Sequence, residues 1–131
     1  MKKSVILFFL LNIVCLGLFA QEKQNFKNDS IVFEKTVHDY GTIVQGSDGN
    51  CEFKFTNKGK GPLILNDVKT SCGCTVPEWP NAPIPPEKTG VIKVKYDTNR
   101  LGVFSKTITV SSNAKNSLVT VTIKGNIITK P

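Results

Sequence analysis

Cys72-Gly73-Cys74 is the spacing in this sequence that carries chemistry, and three kinds of chemistry fit it. A disulfide between the two cysteines requires Cα atoms within about 7 Å, which residues two apart reach only where the backbone bends, and Gly73 permits the bend. Closing so short a loop restrains the unfolded chain by about 1.6 kcal/mol, against about 3.4 kcal/mol for a loop from Cys51 to Cys72. A Cys72 to Cys74 bridge is therefore a weak staple, better suited to redox exchange or to shaping a loop. The second reading joins Cys51 to Cys72 or Cys74, because the ends of two successive antiparallel strands meet at one end of a domain. Against it, Cys51 shares a strand face with Phe53 and Phe55, where a lone cysteine serves as a small buried hydrophobe. The third reading is a soft-metal site in which Cys72 and Cys74 hold Cu(I) or Zn(II). Zinc wants four ligands, and the sequence offers one histidine, His38, and a single methionine at the initiator position. Two-coordinate Cu(I) survives this count, and no other cofactor is implied.

Nucleophilic and acid–base catalysis find no residues to run them. A cysteine nucleophile wants a histidine, and His38 reads as a turn residue between two strand segments. No glycine-rich phosphate loop opens a helix and no paired carboxylates stand out, so the sequence predicts no enzyme. Trp79, set between Pro77 and Pro80, reads either as a ligand platform or as a lid packed over one end of the domain.

These residues sit in a segment that differs from the rest of the chain. Over residues 77–86, five of ten positions are proline, which removes backbone donors and predicts a stiff loop crossing one edge or end of the fold. Loops held on a rigid scaffold are where binding usually resides. Elsewhere the period is two. Cys51, Phe53 and Phe55 alternate with polar residues, as do Ile92, Val94 and Tyr96, then Phe104, Ile108 and Val110, and finally Val119, Val121 and Ile123. Lys106 falls on the apolar parity of its strand, which predicts a bulge or an edge there. Adding segments 31–35, 40–44 and 63–68 gives about seven strands with turn residues at most joints and no helical periodicity. The expected fold is all-β: an antiparallel, immunoglobulin-like β-sandwich with Greek-key connections over residues 31–131.

Ahead of it, Lys2 and Lys3 precede an apolar run over residues 5–19 that ends at Ala20-Gln21, which predicts a signal peptide over residues 1–20 and a periplasmic or secreted protein. Leu18 at the position three before the cut leaves an uncleaved anchor as the alternative. Val14 and Asn12 argue against lipid attachment at Cys15. Removal leaves about 110 residues and three of the four cysteines, with a polar, flexible leader over residues 21–30. No later apolar run is long enough to span a bilayer, so the exported chain is not expected to be an integral membrane protein. Within the leader, Asn28-Asp29-Ser30 is a short glycosylation sequon, and Asp29-Ser30-Ile31 has the form of a bacterial O-glycosylation signal on Ser30. Basic residues outnumber acidic ones by 17 to 10, and Lys54, Lys58, Lys60, Lys93, Lys95, Lys106, Lys115 and Lys124 are spread along the chain, mostly alternating with apolar residues, as a solvated lysine-rich face; with no basic stretch interleaved with aromatics, no nucleic-acid partner is expected.

Asp39-Tyr40-Gly41-Thr42-Ile43, Phe53-Lys54-Phe55-Thr56-Asn57, Ser71-Cys72-Gly73-Cys74-Thr75, Tyr96-Asp97, Gly102-Val103-Phe104 and Val110-Ser111-Ser112-Asn113 follow one another in an order that resembles the bacterial domain-of-unknown-function family fifteen-seventy-three. The resemblance covers residues 31–128, and Ser-Cys-Gly-Cys-Thr is its most distinctive part. It implies an exported immunoglobulin-like domain, similar to chaperone-type and cilia-associated sandwich modules, common in Bacteroidetes and without an established activity. Glu87 departs from the pattern, where a glycine usually follows the proline. The expected function is a non-enzymatic exported module that binds a protein or cell-envelope component through strand edges and the loop of Pro77, Trp79 and Pro80. Two alternatives stand beside it: a thiol-redox or Cu(I)-binding module working through Cys72 and Cys74, and a structural envelope subunit.

Overall fold

In the computed structural model, residues 30–131 are described, and the expected signal peptide and nearly all of the leader lie outside them. Eight strands follow in order: β1 (Ile31–Phe33), β2 (Val37–Val44), β3 (Asn50–Asn57), β4 (Leu65–Thr70), β5 (Thr75–Glu78), β6 (Thr89–Tyr96), β7 (Gly102–Ser112) and β8 (Leu118–Ile128). They form two four-stranded sheets, β1-β3-β6-β5 and β2-β8-β7-β4. With β1 and β2 taken as two halves of one opening strand, these are the two sheets of an immunoglobulin-like sandwich, with Greek-key connections between them.

The alternating residues face inward as expected. Phe53, Phe55, Ile92, Ile108, Val121 and Ile123 have no exposed surface and interdigitate between the sheets. Phe55 lies opposite Gly90, and a Cβ at that glycine would come within 2.4 Å of the phenyl ring, so the close packing of β3 on β6 requires glycine.

Three departures from the sequence-based expectations have physical causes. The proline-rich segment contributes a strand: β5 pairs antiparallel with β6, Pro77 opposite Val94, at the edge of its sheet. Asp97 N donates to Cys74 O (2.9 Å), and alternation then turns the Val76 backbone toward β6 and that of Pro77 to the free edge, where no donor is needed. Secondly, β2 pairs with β8 in parallel, because the opening strand changes sheets at residues 34–36 without reversing direction. Thirdly, His38 lies within β2, edge-on to the Tyr40 ring at 4.6 Å, and the turn expected there is replaced by a register shift between Asp39 and Thr42 at Gly41 (φ 68). Strand β7 runs unbroken past Lys106, which pairs with Ile123. The ladder to β4 begins only at Ile108, so Lys106 sits at a locally open edge, the second of the two arrangements expected there, and the bulge is absent.

Glu87 adopts φ 66, the left-handed region in which glycine is at ease. Its turn is held by Glu87 N donating to Asn57 O (2.8 Å) and Lys88 N donating to Pro85 O (3.1 Å).

Candidate functional site

Thr70–Thr75 carries the chain from the end of β4 to the start of β5, and so from one sheet to the other. Ser71 N donates to Thr107 O (3.0 Å) and Thr107 N to Ser71 Oγ (3.1 Å), which fastens the start of the turn to β7. Asp97 N, donating to Cys74 O, fastens its end to the β6–β7 turn. Inside, Cys72 O accepts from Thr70 Oγ1 (2.9 Å) and Thr75 N (3.3 Å). So held, the turn brings the Cys72 and Cys74 Cα atoms to 5.2 Å, and the two residues form a disulfide.

The two sulfurs have different surroundings. Cys74 is buried at 6% exposure, with Thr75 Oγ1 at 3.9 Å from its Sγ. Cys72 is half-buried and its Sγ accepts from Cys74 N (3.1 Å). Arg100, exposed on the β6–β7 turn, places Nη1 3.4 Å from the same Sγ. Nothing in the local sequence links Arg100 to Cys72, 28 positions away; the two meet only because the β4–β5 and β6–β7 turns share one end of the sandwich.

Cys51 stands apart as a free, buried thiol. It pairs with Val94 on β6, and β5 lies on the far side of that strand, so two strand spacings of about 4.8 Å separate Cys51 from the strand that Cys74 leads into, beyond disulfide reach. Burial pushes its thiol up from the usual 9.0, against a smaller opposing pull from the Tyr40 hydroxyl. Tyr40 OH donates to Gly49 O (2.7 Å), and burial raises the phenol's pKa strongly. Burial together with nearby Lys35 lowers that of His38, whose Nδ1 accepts from Lys35 Nζ (2.8 Å). Among the described residues no group of three or more His, Cys, Asp or Glu side chains is placed to hold a metal ion.

Trp79 and Pro80 are half-buried where the chain leaves β5, with Trp79 packed against the core, and Pro77 is half-buried within β5. Ser30 opens the described chain and its carbonyl accepts from Lys58 N (2.9 Å). One surface is not foreshadowed by any motif. Val103 on β7 is 85% exposed, with Leu101 and Ile128 also exposed nearby. Gly102 lies opposite buried Ile127, so Leu101, Val103 and Ile128 all face outward at one corner of the β2-β8-β7-β4 sheet.

The family model described as "Protein of unknown function (DUF1573)" matches residues 31–127. The chain belongs to that family. This DUF1573 domain is also similar in fold to a crystal structure of a protein of unknown function from Porphyromonas gingivalis W83, at TM-score 0.66 and 18% identity, covering 75% of this chain and 46% of that one. It therefore spans about half the length of that protein. A PapD-like domain of human CEP192 matches at TM-score 0.66 and 6% identity, over 79% of this chain and 89% of the other. The chaperone–tip adhesion subunit complex CsuC–CsuE of Acinetobacter baumannii matches at TM-score 0.54 and 11% identity, over 74% and 56%. At these identities the likeness is one of fold. No curated protein matches the DUF1573 chain.

Proposed function

We propose that the protein is an exported, non-enzymatic module that docks a protein component of the cell envelope on the outward corner formed by Leu101, Val103 and Ile128. The observation that carries this reading is Val103, a β-branched residue 85% exposed as the second residue of an 11-residue strand, where burial against a partner is the physical use of such a side chain. The free edges favour this face over strand addition. Pro77 removes a donor from β5, the ladder of β2 is interrupted at Gly41, and that of β4 shifts between Leu65 and Asp67. Export rests on Lys2, Lys3 and the apolar run behind them. The fold likeness to a chaperone crystallised with an adhesion subunit is compatible with protein binding and goes no further. Pro77, Trp79 and Pro80 form a second, smaller patch in this reading, although the packing of Trp79 makes its first role structural.

The test is site-specific photo-crosslinking in intact cells, with the probe at Val103, at Trp79 or, as a control on the other sheet, at Lys54. A discrete adduct from Val103 that is lost on Ile128→Asp is expected. Equal adducts from Lys54, or none from Val103, would overturn the reading.

A further inference from the structure

Cys72 and Cys74 are bonded to each other but are not equivalent. Cys72 is half-buried and its sulfur faces a guanidinium and a backbone amide; Cys74 is buried. This is the asymmetry that thiol–disulfide exchange requires, since the incoming thiolate needs an accessible sulfur and a hydrogen-bonded cationic setting favours the thiolate released there. The bridge also closes a loop of only three residues, so the fold depends on it little and can persist with the pair reduced.

We propose that Cys72–Cys74 is a thiol–disulfide exchange centre for a client protein bearing two cysteine thiols, with Cys72 the attacked sulfur, Cys74 the internal resolving sulfur and Arg100 a positioning residue that holds negative charge on Cys72. A client thiolate attacks Cys72 Sγ, the bond to Cys74 breaks, and its electron pair leaves on Cys74 Sγ, which takes up a proton. The mixed disulfide between client and Cys72 is then attacked by the client's second thiolate. Cys72 leaves as a thiolate facing Arg100 Nη1 and Cys74 N, and the client keeps the new disulfide. Two electrons pass from the client dithiol to the bridge, leaving Cys72 and Cys74 reduced. In reverse, the Cys72 thiolate attacks a client disulfide and Cys74 displaces the client thiol, re-forming the bridge. The exchange is independent of the Leu101, Val103 and Ile128 corner, so failure of either leaves the other standing.

The experiment incubates the oxidised protein with a synthetic peptide holding two cysteine thiols and maps the products by mass spectrometry. The peptide is expected to become disulfide-bonded while two thiols appear on Cys72 and Cys74, with Cys51 unchanged. Cys74→Ser, given the oxidised peptide, accumulates a mixed disulfide on Cys72. In Cys72→Ser the remaining Cys74 alkylates at least about tenfold more slowly than Cys72 does in Cys74→Ser. In the Cys74→Ser background, Arg100→Ala raises the midpoint of Cys72 alkylation against pH by about half a unit, the size expected for an exposed charge contact, and Arg100→Lys restores part of it. A purely structural Arg100 would leave that midpoint unmoved. The proposal fails if the peptide stays reduced beside folded, oxidised protein, if adducts form on Cys74 first, or if the midpoint ignores Arg100. Should the serine variants not fold, partly reduced wild type decides the matter: first labelling on Cys72 supports the proposal and first labelling on Cys74 overturns it.

Discussion

Single residues hold this sandwich at its turns, and Glu87 is the one whose identity works against its conformation. A non-glycine residue in the left-handed region costs about 1–2 kcal/mol, while glycine brings an entropic cost of about 0.5–1 kcal/mol. The ion pair from Glu87 to Lys58, 3.2 Å between exposed side chains, returns only a few tenths. Glu87→Gly should therefore stabilise the domain by about 0.5 kcal/mol, a rise in Tm of about 2–4 °C measurable by calorimetry; a fall would mean that the ion pair matters more than the backbone. Cys51 and Tyr40 set a different limit. Both have folded-state pKa values raised by burial, so between about pH 9 and the folded values the unfolded chain sheds protons that the folded one keeps. Their contribution is intact below pH 9 and is lost as pH rises. Denaturant midpoints should fall from about pH 9 upward, and Cys51→Ala should flatten the first part of that fall; an unchanged slope would place the effect on the tyrosines alone. At this scale the sequence is legible in part. The Cys72-Gly73-Cys74 pair declares itself by spacing, whereas Arg100 becomes its neighbour only through folding. Asn57 and Asn113 read as ordinary turn residues, yet Asn57 Nδ2 donates to both Gly61 O and Ile84 O (2.8 Å each) and Asn113 Oδ1 accepts from Ile64 N (2.8 Å), tying loops that are far apart in the chain.

Among the elements, strands with one wet face are the legible ones, because burial on one side imposes a period of two that survives any tertiary arrangement. β3, β6, β7 and β8 follow that pattern closely. β5 does not, since it is four residues long, contains Pro77 and has only one neighbour, so neither period nor propensity marks it. The parallel pairing of β2 with β8 is equally silent, because strand direction within a sheet follows from the crossing at residues 34–36 and leaves no trace in residue alternation. What β5 lacks in signal it has in protection. Its outer edge would offer a strand template were it not for the missing donor of Pro77, and the neighbouring Val76 is 58% exposed. Pro77→Val restores the donor and adds β-propensity, and it should leave the monomer folded while producing concentration-dependent association through that edge, visible by sedimentation velocity. A variant that stays monomeric at high concentration would show that exposed charge such as Glu78 protects the edge without the proline.

The whole molecule divides its labour between its two ends. At one, the side chains of Asn57, Asn113 and Asn116 bind the N-terminal strand and the proline-rich connection to neighbouring loops; Asn116 alone accepts from Ile31 N (3.0 Å) and donates to Ile31 O (2.8 Å). At the other, the β2–β3 and β6–β7 turns are joined by Gly46 N donating to Thr98 O (3.2 Å), and the disulfide turn packs beside them. The central core lies between, built mainly from phenylalanine and aliphatic side chains with no exposed surface, and the bridge meets it only at one margin, through buried Cys74. Cooperative folding should therefore survive loss of the disulfide. Replacing both Cys72 and Cys74 by alanine, which buries no new polar group, removes a constraint on a three-residue loop worth about 1.6 kcal/mol, a fall in Tm of about 6–13 °C, whereas Phe53→Ala in the core should cost about 3–5 kcal/mol. Calorimetry on the double alanine variant should show one sharp transition at lower temperature with nearly the wild-type heat of unfolding. A broad transition, or a loss rivalling that of Phe53→Ala, would make the bridge part of the core's own support and would remove the independence that lets it open and close while the sandwich stays folded.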